Sequence, residues 1–163
     1  MGVFALRTIL ALVASAASLG QAYPAEAAAS TAAVGPCTTG DPVVTAGYTI
    51  KYAPATPTIS AFENGYQPEP AWAENHVVGT YTFGVPQPVE SGFAFAQFKC
   101  QYYCNGAPSA AGFFVKYAGE DSQDGSYCSC YSDLLDPESF VADNQTLIGA
   151  WNSICDVTHP GSE

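Results

Sequence analysis

The chain has 163 residues, with 15 Asp and Glu against 4 Lys and Arg, and 6 Cys. That length supports one domain, or one domain plus tails, and aromatics at 13% with hydrophobics at 48% exclude a disordered chain. A formal charge of −11 excludes a nucleic-acid backbone or an anionic membrane surface as partner, since both require clustered Lys and Arg.

Residues 1–22 read as a secretory signal peptide. Arg7 supplies the positive start, residues 8–19 form an apolar run, and Gly20-Gln21-Ala22 supplies the small residues of a cleavage site. The run is too short to cross about 30 Å of hydrocarbon. No second apolar run follows, so the expected product is exported, with no membrane span. Loss of residues 1–22 removes Arg7 and leaves Lys51, Lys99 and Lys116 against 15 acids. Residues 23–36 (YPAEAAASTAAVGP) are Ala-rich without an apolar period, which predicts a disordered leader.

The domain proper is expected over residues 37–155. Residues 41–74, rich in Pro and Tyr, read as extended but irregular. Val77–Phe83 reads as a strand. Residues 93–104 (FAFAQFKCQYYC) read as a helix, with Ser91 as N-cap and Asn105-Gly106 as its stop. Gly112–Tyr117 alternates as a strand, with Phe113, Val115 and Tyr117 on one face. The acidic turn at residues 119–125 joins it to a strand over residues 126–132 as a hairpin. Residues 147–154 make a last strand, and residues 156–163 a polar tail. The predicted fold class is α+β, a small antiparallel sheet carrying one helix.

The cysteines tie these elements together. All six, Cys37, Cys100, Cys104, Cys128, Cys130 and Cys155, follow the signal segment, and an even number in an exported chain predicts three disulfides. A zinc site is the competing reading, but Cys128-x-Cys130 departs from the usual knuckle spacing. On a helix, Cys100 and Cys104 share a face with a rise of about 6 Å between them. On a strand, Cys128 and Cys130 share a face about 6.7 Å apart. Helix and strand can thus be bolted together twice, leaving Cys37 for Cys155. Spacing leaves the inner pairing open between crossed and nested.

The succession of a C-x3-C helix, Gly112-Phe113-Phe114-Val115-Lys116-Tyr117 and Ser126-Tyr127-Cys128-Ser129-Cys130-Tyr131-Ser132 resembles the PAN/apple class of extracellular modules. It is most similar to apple-like domains of small fungal secreted proteins, over about residues 80–132. The Cys128-Ser129-Cys130 step also resembles the C-x-C of WSC carbohydrate-binding modules, although Tyr131 stands where those carry Gly. Residues 108–111 lack the cysteine that apple domains commonly place before the aromatic strand. The resemblance implies a disulfide-stapled helix-on-sheet fold and nested inner bridges, Cys100–Cys130 and Cys104–Cys128. It also implies adhesion or recognition of a protein or carbohydrate.

Catalytic chemistry is sparse. His159 lies in the polar tail, and His76 stands alone before a strand, without a second histidine at ligand spacing. Nucleophile-elbow, phosphate-loop and dinucleotide motifs are missing from the sequence. Asp133, Asp136 and Glu138, and likewise Glu120, Asp121 and Asp124, sit in turn-like sequence where no apolar pocket would raise a carboxyl pKa for hydrolysis. The 120–124 turn lacks the spacing of a calcium loop. The expectation is therefore no catalytic residue, no metal and no cofactor, with a small acid-active hydrolase or a structural, effector-like protein as the alternatives. Binding is expected at Tyr127 and Tyr131, which alternate onto the strand face opposite the cysteines. Asn144 in Asn144-Gln145-Thr146 is the expected glycosylation site.

Overall fold

The computed structural model describes residues 35–57, 62–84, 88–117, 125–144 and 147–155. The expected signal peptide, the leader up to residue 34, the 119–124 turn and the 156–163 tail with His159 lie outside them. Among the described residues nine strands and two α-helices follow in order: β1 (Val43–Thr45), β2 (Tyr48–Ile50), β3 (Tyr52–Pro54), β4 (Tyr66–Pro68), α1 (Pro70–His76), β5 (Val77–Phe83), α2 (Val89–Asn105), β6 (Gly112–Tyr117), β7 (Ser126–Tyr131), β8 (Phe140–Ala142) and β9 (Ile148–Ser153), with a 3-10 turn at Pro137–Ser139 between β7 and β8. The fold class is α+β, as expected.

Five strands form the main sheet in the order β3-β9-β6-β7-β5, every pair antiparallel. Alternation along β6 divides its side chains between two cores. Phe113 and Val115 face α2, in a cluster with Ile50, Tyr52, Ala96 and Trp151. Phe114 faces the other way, in a cluster with Tyr66, Tyr131, Leu135, Phe140 and Ala150. A buried side chain of this size contributes about 1.5–3 kcal/mol. The central strand therefore supports both layers.

The described residues of the segment 41–74, expected to be irregular, instead include several short regular pieces. A two-residue turn closes β1 on β2, with Ala46 and Gly47 both at positive φ, 46° and 84°. That geometry matches the right-handed twist of the paired strands. Helix α1 is a second helix the sequence did not announce. Glu69 accepts from the Trp72 backbone N–H at 2.6 Å and Pro70 opens the first turn, which together start the helix.

Helix α2 begins earlier than expected, at Val89. Ser91 is not its N-cap: its hydroxyl donates to the Pro88 carbonyl at 3.0 Å from inside the first turn. Three disulfides are formed: Cys37–Cys155, Cys100–Cys128 and Cys104–Cys130. The outer bridge is as expected. The inner bridges are crossed, which corrects the nested Cys100–Cys130 and Cys104–Cys128 pairing implied by the resemblance. The reason is chain direction. A short link after Asn105 turns the chain back into β6, and β7 runs antiparallel to β6. Two reversals bring β7 parallel to α2, so first cysteine meets first and second meets second.

Candidate functional site

Helix α2 buries Ala96, Cys100 and Cys104 against the sheet and carries aromatic rings along both flanks. On one flank Phe95, Phe98 and Tyr102 follow at spacings of three and four residues, which aligns them on a helix. Tyr48 leans in from β2, its ring centroid 5.9 Å from Phe95 and 5.1 Å from Phe98. Tyr102 meets Phe98 edge-on at 5.0 Å and is 59% exposed. On the other flank Tyr103 stacks on Tyr81 at 4.4 Å and 11° and leans on Phe83 at 5.6 Å. The Lys99 ammonium stands 5.7 Å from the Tyr103 ring centre. These rings rest on a helix held twice to the sheet, so they are presented with little conformational freedom. No part of this surface was expected from the sequence. The periodic aromatics were visible, but they read equally well as core.

The two expected binding tyrosines meet different fates. Tyr127 is 41% exposed, opposite Lys116 on β6 and Thr82 on β5. Tyr131 is only 4% exposed, because α1 lies over it and Trp72 packs against its ring at 5.1 Å. Burial raises the Tyr131 phenol pKa, opposed by a hydrogen bond with Ser129. The face is thus closed at one end and open at the other.

His76 is an anchoring residue at the same junction. Its ring stacks on Trp72 at 4.5 Å, and Nδ1 donates to the Trp72 carbonyl at 2.7 Å. Nε2 lies 3.9 Å from Asp133 Oδ2. The acids after β7 serve turns: Asp133 Oδ1 accepts from the Leu134 N–H at 2.8 Å, and Asp136 forms a capping box with Ser139. Asp133, Asp136 and Glu138 are all exposed. A shallow groove of about 280 Å³ lies between Thr56, Phe62, Glu63, Gly65, Tyr66 and Ile148, and Glu63 is the one carboxylate lining it among the described residues.

All six cysteine sulfurs are consumed in bridges, leaving no free thiol to hold zinc in the oxidised protein. Asn144 is exposed, its N–H donating to Asp143 Oδ1 at 2.8 Å; Gln145 and Thr146 of its motif lie outside the described residues. No helix among the described residues is long and apolar enough to cross a membrane. No protein-family model, curated protein or solved structure matches the chain.

Proposed function

We propose that the protein is an exported, non-enzymatic recognition module of apple-like build, binding an extracellular protein or carbohydrate. The observation that carries this reading is the aromatic row in which half-buried Phe95 and Phe98 and exposed Tyr102, on a doubly stapled helix, meet half-buried Tyr48 of β2. Tyrosine offers a broad contact area with few torsions to freeze, and its ring stacks on a sugar or packs on a partner. Three disulfides suit an oxidising exterior. Tyr127 on the open end of the sheet adds a second, smaller contact. A carboxylate hydrolase has less support, since Asp133 and Asp136 are engaged in holding turns.

The test is a glycan array together with a pull-down on cell-wall and extracellular proteins, using the full chain and the Tyr102→Ala and Tyr48→Ala variants. A ligand bound by the parent and weakened about tenfold, near 1.4 kcal/mol, by either substitution supports the reading. A ligand bound equally by both variants, or no ligand in either screen, overturns it.

A further inference from the structure

The two inner bridges touch each other. Cys104 Sγ and Cys128 Sγ, which belong to different disulfides, are 3.7 Å apart. The Sγ atoms of Cys100, Cys104 and Cys128 all lie within 4.8 Å of one another, and Cys130 stands outside that group. All four cysteines are at most 1% exposed, so packing holds the sulfurs in this arrangement. Thiol–disulfide exchange needs a thiolate brought against a disulfide sulfur, and reacting atoms in a productive approach sit about 3–3.5 Å apart. Only a few tenths of an ångström separate Cys104 and Cys128 from that approach.

We propose that this cluster is a site of internal disulfide exchange, with Cys104 and Cys128 as the reacting sulfurs. With Cys128 as a thiolate, its sulfur attacks Cys104 Sγ. The Cys104–Cys128 bond forms, the Cys104–Cys130 bond breaks, and the electron pair leaves on the Cys130 sulfur, which becomes the thiolate in place of Cys128. The step consumes neither oxidant nor reductant. In the intact protein the first thiolate arises when local opening of the α2–β7 contact admits a dithiol, which reduces Cys100–Cys128 and is itself oxidised. The product holds α2 by one diagonal bridge in place of two. That bridge also belongs to the nested pairing, so the same step, reversed, returns a misbridged chain toward the crossed form.

Single substitutions make the test independent of any reductant. Cys100→Ser leaves Cys128 as the unpaired thiol, and Cys130→Ser leaves Cys104. Each is incubated near pH 8.5, about the ordinary thiol pKa, then quenched in acid denaturant, labelled with a maleimide and mapped by peptide. The expected label divides between Cys128 and Cys130 in the first variant, and between Cys104 and Cys100 in the second. Cys104→Ser leaves Cys130, which stands outside the close group, and its label stays on Cys130. Label confined to Cys128 and Cys104 in the first two variants, or scrambled to the same extent in all three, overturns the proposal. Should a variant fail to fold, the parent protein opened with limiting dithiol gives the same readout. Its species with a single inner bridge must then include one linked Cys104–Cys128, and the absence of that species overturns the proposal equally.

Discussion

The Trp151 indole N–H donates to Gln97 Oε1 across 3.1 Å, a polar link between β9 and α2 inside the core. Both residues are buried, at 6% and 8% exposure. Gly149 leaves the room for it: a Cβ there would lie 2.8 Å from both Gln97 Oε1 and Trp151 Nε1. Gln97→Met keeps the volume but strands the indole N–H, which costs about 1–3 kcal/mol. Gly149→Ala should cost a similar amount by prising the pair apart. Urea midpoints measure both, and a Gln97→Met variant as stable as the parent would show that the link contributes nothing.

The β1–β2 turn holds the reverse expectation. Ala46 sits at φ 46°, where a Cβ is crowded and where Asn is better tolerated. Ala46→Asn should therefore stabilise the protein by roughly 0.5–1 kcal/mol, seen as a higher melting temperature. A lower one would mean that the turn is not of this type.

Alkaline pH offers a third check. The Tyr52 hydroxyl donates to Asn105 Oδ1 at 2.7 Å, and burial pushes its pKa from 10.0 to about 12. A pKa raised in the folded state means that the folded protein keeps this proton longer than the unfolded chain does. Its contribution is full below pH 10.0 and is lost as pH rises toward about 12. Tyr52→Phe should flatten the fall of the urea midpoint across that window. An unchanged slope would show that Tyr52 does not govern it.

The limits of legibility follow from element length and chain direction. The Val77–Phe83 and Gly112–Tyr117 strands were readable because six or seven residues suffice to show alternation. Strands of three residues, such as β3 and β4, are too short to show a period, and their prolines, Pro54 and Pro68, read as loop. Helix α1 has seven residues and no buried one, so it left no apolar stripe to find. Missing it meant missing the cover over Tyr131. The cysteine spacing correctly joined α2 to β7, but spacing is blind to direction. Counting the two reversals between Cys104 and Cys128 would have given the crossed order. The aromatic row on α2 was concealed for a different reason: Phe95 and Phe98 look like core residues until Tyr48 and the exposed Tyr102 place them on a flank.

The shared direction of α2 and β7 underlies both the presentation of the aromatic row and the contact between the bridges. Its most direct test is a disulfide map of the native protein, digested with pepsin in acid so that exchange is suppressed. The structure predicts linked peptides for Cys37–Cys155, Cys100–Cys128 and Cys104–Cys130. Recovery of Cys100–Cys130 together with Cys104–Cys128 as the dominant pairs would contradict it.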